Sequence, residues 1–301
     1  NTVNSYASLS DLKTYFDFGS TQASELNVTL RDYLVRASRA IDRYTRKNFY
    51  PKRRVLYFDN PPDSRTVCFS NFFVELIGLS ANAGASAIPN SILLTRCGDD
   101  WNLTPYNTVE IDETTGSLLN WSGTPRRSVV ADVVEVYREN YNDTNEAWID
   151  SGASLLDGLA ASNNIIYASA SNAHNALGFS PRFKSEQIWR IGTGSAQEYV
   201  YVLQTGASSA SGENYTHVVR GINGTTAASH ASGVQIHVWE PEWEIKINTM
   251  RLARWIYEIK DNPTGTRHFF PQIGGFELAD SWPKDIRDAL DRYKGIRISS
   301  F

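Results

Sequence analysis

The chain has 301 residues, 41% of them hydrophobic and 21% charged, with a formal net charge of -4. That is enough chain to bury one or two sizeable cores, and the acidic balance excludes a protein whose whole surface coats nucleic acid. No apolar run approaches the roughly 20 residues that cross a bilayer, and no secretory leader pattern opens the chain. Aromatics reach 12%, with eight Trp and fifteen Tyr, which fits β-rich architecture and large contact surfaces. Cys68 and Cys97 sit in apolar, strand-like runs, so two buried thiols are expected rather than a disulfide. Asn27, Asn102, Asn120, Asn142, Asn214 and Asn223 begin Asn-x-Ser/Thr sequons, a weak sign of secretion in an Asn- and Thr-rich chain.

In chain order, Ser8 and Asp11 form a capping box for a short helix from Leu9 to about Phe16, with Leu9, Leu12, Tyr15 and Phe16 inward. Gly19-Ser20 ends it, and a second helix fills Leu30 to Pro51, pairing with the first as an αα-hairpin. Its apolar side chains at Leu30, Leu34, Ala37, Ile41 and Tyr44 follow steps of four and three, one helical face. Pro51, lacking an N–H, is expected to stop it. From Arg53 the period switches to two. VLYFD, TVCFS, FFVELIG, SILLTR, YNTVEID, GSLLNWS and VVADVVEVYRE read as short strands between turn clusters. Residues 141–178 turn Asn-, Ser- and Ala-rich and read as a connector, with Leu155, Leu156 and Leu159 suggesting a short amphipathic helix. A second β section, 179–240, holds QIWRIG, EYVYVLQTG, YTHVVRG and VQIHVWEP, four strands for a small sheet or barrel. Ser208 to Gly212 is its polar hairpin tip, and Asn223-Gly224 suits a turn with positive φ at both central residues.

Helical period returns at Glu242, where Ile245, Thr249, Leu252, Ile256 and Ile259 share a face, and Asn262-Pro263-Thr264-Gly265 ends the run. HFFPQIGGFELADSW reads as a loop. Ser281 then caps a last helix with Pro283 and Asp285 in its first turn, and Ile286, Ala289, Leu290 and Tyr293 inward. The tail, RISSF, alternates as an added strand would. The predicted fold is α+β. Residues 1–52 and 241–301 supply a small helical bundle, and the all-β insertion between them comes in two sections, 53–140 and 179–240.

Charge is unevenly placed. Residues 31–54 carry nine basic and two acidic side chains, a net of +7. Arg31, Arg36, Arg39, Arg43, Arg46 and Lys47 occupy the non-apolar faces of the second helix. They read either as a solvated face or as a surface for DNA, an acidic partner or another subunit. Residues 132–157 carry seven acids, among them Asp132, Glu135, Glu139, Asp143 and Glu146, against Arg138, a net of -6. The two blocks suit head-to-tail association between copies or pairing within one chain.

Catalytic and metal constellations are weak. His174, His217, His230, His237 and His268 lack metal-binding spacing, although His217 and His237 on neighbouring strands are a conceivable pair. Glu240, Glu242 and Glu244 resemble a paired-carboxylate site but suit solvated or capping acids at a strand-to-helix junction. Gly192 to Ser195 and Gly274-Gly275 are glycine turns without the Lys-Thr/Ser element of a phosphate loop. The sequence points to no enzyme, no metal and no cofactor.

Several segments, in order, carry a resemblance: SLSDLKTYF, ASRAIDRYTRKNFYP, WNLTPYNTVEID, RGINGTTAASHASGVQIHVWEP, MRLARWIYEIKDNPTG and PKDIRDALDRYKGIRI. Together they resemble the head–tail adaptor (connector) proteins of tailed bacteriophages, over most of residues 6–140 and 186–298; residues 140–178 depart from the pattern. The resemblance implies a virion structural protein, assembled in the host cytoplasm and located at the neck. There, about twelve copies form a ring under the portal protein, extend the DNA channel and meet a stopper or tail-completion protein. It implies a terminal-helix bundle carrying β insertions, no membrane, and at most non-specific contact with channel DNA. By position, Gly295, Ile296, Arg297, Ile298, Ser299, Ser300 and Phe301 would dock into the portal. In such a ring the arginine face is expected at the subunit interface, because DNA must slide through the channel. A second reading, from the aromatics and sequons, is a secreted β-sandwich binding module with helical flanks.

Overall fold

A computed structural model describes residues 4–16, 24–59, 66–81, 86–87, 92–95, 104–111, 126–139, 141, 147–169, 174–178, 180–207, 214–259, 268–270, 275–277 and 282–294. The fold is α+β. It divides into two compact units: residues 3–49 with 241–301, and residues 50–240. The two ends of the chain therefore build one unit together.

That unit holds α1 (Leu9–Tyr15), α2 (Ser24–Thr45), α3 (Trp243–Ile259) and α4 (Lys284–Asp291), and a hairpin of His268–Phe270 with Gly275–Glu277. The capping box is present. Ser8 Oγ accepts from the Asp11 amide at 3.1 Å, and the Asp11 carboxylate accepts from the Ser8 amide at 3.3 Å. Ser8→Ala should lower the stability of this unit by about 1 kcal/mol in urea unfolding, because the Asp11 amide at the helix start loses its acceptor. Leu9 and Leu12 are buried, whereas Tyr15, expected inward, is exposed.

Leu30, Leu34, Ala37 and Ile41 of α2 are buried, and α2 packs on α3 and α4, whose buried side chains include Ile245, Leu252, Ile286 and Leu290. Full burial of each Leu or Ile contributes about 1.5–3 kcal/mol. Polar ties join the helices. Lys246 pairs with Asp11 at 3.0 Å, and the Tyr44 hydroxyl donates to Asp291 at 2.6 Å. Ala289, expected inward, is only half-buried, and α4 is preceded by Pro283 at the cap position with no side-chain cap. Ser281, Gly295, Gly19-Ser20 and the 262–265 stop lie outside the described residues.

The helix α2 ends at Thr45, six residues before Pro51. Arg46 takes a left-handed conformation (φ 58°), its amide donating to the Asp42 carbonyl at 2.7 Å. The early stop has a tertiary cause. It brings Phe49 inward between the rings of Tyr6 and Tyr293, and its amide donates to the Tyr6 hydroxyl at 3.0 Å.

In the other unit, β1 (Lys52–Phe58), β2 (Thr66–Ala81), β3 (Ser86–Ala87), β4 (Ile92–Thr95), β5 (Tyr106–Ile111) and β6 (Val129–Glu135) form one antiparallel sheet. Its order is β1-β6-β2-β5-β4, with β3 on β2. TVCFS and FFVELIG are one strand, not two. Irregularities in the β2 pairing fall between Cys68 and Phe73, where Asn71 is exposed, yet Val67, Phe69 and Phe73 keep one phase and enter the same core. Cys68, expected buried, points to the exposed face; Cys97 and GSLLNWS lie outside the described residues.

The strands β7 (Trp148–Ser154), β8 (Ile165–Ala168), β9 (Ile188–Ile191), β10 (Glu198–Ala207), β11 (Asn214–Arg220) and β12 (Gln235–Trp239) form the second antiparallel sheet, in the order β7-β12-β9-β10-β11-β8. Its two outer strands also meet. Leu155 bridges Ala168, the Leu156 amide donates to the Tyr167 carbonyl, and the Ser169 amide donates to the Ser154 carbonyl, both at 2.9 Å. The sheet thus closes into a small barrel around Trp189, Phe183, Ile191, Val200, Val202 and Ile236. The 141–178 connector is corrected: it supplies two barrel strands. Their inward positions include Ser151 and Ala153, small residues whose composition imitates a loop, and Ser151 Oγ donates to the Ile236 carbonyl at 2.6 Å. Leu155 and Leu159 are buried bridge residues rather than a helix.

The sheet and the barrel share a second core, in which Val74, Val134 and Val136 meet Trp148, Tyr199, Ile222 and Trp239. Among the described residues no helix is long and apolar enough to cross a membrane.

Candidate functional site

The charged face of α2 is the first candidate surface. Arg31, Arg36, Arg43 and Arg46 are exposed, and Lys47 is half-buried. Arg36 pairs with Asp32 one turn earlier at 2.7 Å, and Arg43 Nε donates to the Arg39 carbonyl at 3.3 Å. An exposed ion pair of this kind contributes about 0–1 kcal/mol, so Arg36 can exchange partners at little cost.

Arg39 differs. It bonds the Asn4 carbonyl at 2.7 Å, pairs with Asp42 at 2.9 Å and lies over the Tyr6 ring. The Asp42 carboxylate also accepts from the Tyr6 hydroxyl. Burial pushes the Asp42 carboxyl up to about 6, against the opposing pull of Arg39 and the Tyr6 hydroxyl. Arg39 is therefore a tie for the N-terminal segment, not a member of the outward-facing set.

Of the acids singled out in the acidic block, the described ones, Asp132, Glu135 and Glu139, are bonded within the chain. Asp132 accepts from Arg53 Nε and Nη2 at 3.0 and 2.6 Å, and Glu135 pairs with Arg54 at 3.1 Å, both across the β1–β6 ladder. Of the two alternatives, association between copies and pairing within one chain, strand register gives the second for Asp132 and Glu135, which meet Arg53 and Arg54 of the basic run. Glu139 is exposed and accepts from the Tyr137 hydroxyl at 2.8 Å. Asp143, Glu146 and residues 295–301 lie outside the described residues.

The histidine pair is not brought together. His217 on β11 and His237 on β12 are separated by β9 and β10. No group of three or more metal-ligating side chains occurs among the described residues. Glu242 and Glu244 converge on Tyr293, whose hydroxyl lies 2.7 and 3.0 Å from their carboxylates.

The most heavily bonded charge among the described residues is not one of those singled out from the sequence. Glu198, fully buried at the start of β10, accepts from Arg220 Nε and Nη2 at 2.7 and 2.6 Å. It also accepts from the Gly221 and Ala228 amides, each at 3.1 Å, and lies 3.0 Å from His230 Nε2. Arg220 donates further to the carbonyls of Ala160, Asn163 and Ala228. Burial alone would raise the Glu198 carboxyl, but these donors outweigh it and hold the group below its usual range. Every strong donor and acceptor here is used internally, which marks a structural knot rather than a substrate site. The signal was present in RGINGTTAASH, where Arg220, Gly221 and His230 all engage Glu198.

Compared with protein-family models, with curated proteins and with solved structures, the chain gives no match to any of them.

Proposed function

We propose that this chain is a head–tail adaptor of a tailed bacteriophage, a structural protein of the virion neck. Copies close into a ring beneath the portal, extend the DNA channel and present a lower face to a stopper or tail-completion protein. The observation that carries this reading is the single unit built from both chain ends, with α2 packed on α3 and α4 and the β body inserted between them. That is the organisation implied by the resemblance of the terminal segments. A ring requires two different surfaces on each copy, and the exposed arginines of α2 provide one. They belong at a subunit interface rather than along the channel, since many tight phosphate contacts would brake moving DNA.

Imaging of isolated necks, with this chain carrying a label, should place it in a ring between portal and tail. In vitro, removal of residues 295–301 should weaken co-sedimentation with the portal by at least about tenfold, the loss of roughly 1.4 kcal/mol or more. A label elsewhere in the virion, or undiminished portal binding by the shortened chain together with an absence of rings, would reject the proposal.

A further inference from the structure

The open sheet leaves a stretch of main chain bare along β1. The Arg53 amide donates away from β6, to the Asn223 carbonyl at 2.8 Å, and the Arg53 carbonyl lies on that same side, against Gly224. In an antiparallel strand both main-chain groups of a residue point one way, and the direction alternates along the chain. The β1–β6 register runs without a shift from Lys52 to Phe58, so Val55 and Tyr57 also aim their amides and carbonyls away from β6. The 223–224 turn meets this margin at Arg53. Beyond that point β6 is the single bonded neighbour of β1 among the described residues. From Val55 to Phe58 the bare margin is roughly 14 Å long.

Such an edge is normally blunted by a proline, a bulge or a charge. This stretch has none of them. Val55-Leu56-Tyr57-Phe58 is an unbroken apolar run, and Val55 and Tyr57 leave 50% and 56% of their surface in solvent. Leu56 and Phe58, on the other face, pack against the sheet's core and hold the run in place. The opposite margin does not match it, since β4 has only four residues and its Thr95 is buried.

Charge selects the occupant. Arg126 and Arg127 are exposed at the Phe58 end, with Arg127 over the Tyr57 ring and its amide on the Asp59 carboxylate at 2.9 Å. Lys52, Arg53 and Arg54 mark the other end. If two copies paired β1 to β1 in antiparallel fashion, the basic start of each strand would face Arg126 and Arg127 of the other, like charge against like. We infer that the Val55–Phe58 margin receives an extended acidic segment of another protein. That segment bonds to the main chain of Val55 and Tyr57, lays apolar side chains beside theirs and turns carboxylates toward Arg126 and Arg127. The inference does not depend on the ring reading above.

The test titrates the intact protein with the capped peptide Glu-Thr-Val-Thr-Val-Thr-Glu and follows backbone amides by NMR. Saturable shifts of Val55 and Tyr57, with slowed hydrogen exchange of both amides, are expected. The corresponding peptide with terminal lysines should bind at least about threefold more weakly. Val55→Pro removes one outward donor without touching the β6 ladder, and should weaken binding about twofold to twelvefold. Two N-methylated peptides, one blocked at the valine nitrogens and one at the threonine nitrogens, leave the protein itself unaltered. One of the two should lose binding, because only alternate peptide amides can face β1. Absence of saturation, equal binding of the lysine peptide, or full binding by both methylated peptides would overturn the site. Shifts of Val55 and Tyr57 that depend on protein concentration alone would assign the margin to a second copy and overturn the acidic partner.

Discussion

Arg220→Ala should lower the unfolding free energy of the β unit by about 3–5 kcal/mol, the largest effect expected of any single side chain described above. The substitution leaves the Glu198 carboxylate buried with its two strongest donors removed. It also frees three carbonyls, of Ala160, Asn163 and Ala228, that Arg220 now ties together. Urea unfolding followed by tryptophan fluorescence measures the loss. A change under about 1 kcal/mol would show that water replaces the guanidinium and that the knot is dispensable.

The same group sets an acid limit. Because the Glu198 carboxyl is held below the ordinary glutamate value of 4.5, the folded unit binds its proton less readily than the unfolded chain does. Its contribution is complete above about pH 4.5 and is lost as pH falls through the folded value. Glu198→Gln should reduce stability at neutral pH and flatten its dependence on pH below 4.5. A variant whose acid limb matched that of the wild type would assign the sensitivity to other carboxylates.

The second large effect is expected at Gly224. With Asn223 it forms the turn that follows β11, at φ 51° and 85°. A Cβ on Gly224 would lie 2.0 Å from the Arg53 carbonyl oxygen, an overlap that backbone must move to relieve. That contact matters because the Arg53 amide donates to the Asn223 carbonyl at 2.8 Å, tying the open sheet to the barrel's loop. Gly224→Val should cost about 2–4 kcal/mol, combining left-handed strain with overpacking, and should speed exchange of the Arg53 amide. Gly233 is the control. It has φ 82° but nothing within 4 Å of an added Cβ, so Gly233→Ala should cost only about 1 kcal/mol.

What the sequence disclosed and what it hid divide along physical lines. Local signals were legible: the Ser8–Asp11 box, the inward face of α2, and the Asn223-Gly224 turn each depend on neighbours within a few residues. Signals set by distant partners were not. α2 ends at Thr45 because Phe49 must reach Tyr6 and Tyr293, and neither partner is near it in the chain. β7 escaped notice because a barrel interior filled by Trp189 and Phe183 leaves room only for residues such as Ser151 and Ala153 on the facing strand. The charge blocks show the same limit for the candidate surface. Arg36 and Arg53 belong to one basic run, yet strand register neutralises Arg53 against Asp132 and leaves Arg36 outward.

Closure of the barrel also bears on how neighbouring proteins can attach. With β7 and β8 bonded to each other, that half of the β unit offers little unsatisfied main chain for a foreign strand to extend. The open sheet differs, since β1 and β4 each have a single bonded neighbour among the described residues. Within the open sheet, a partner that docks by lending a strand has the β1 and β4 margins to extend, and the Arg53–Asn223 bond already occupies part of the first.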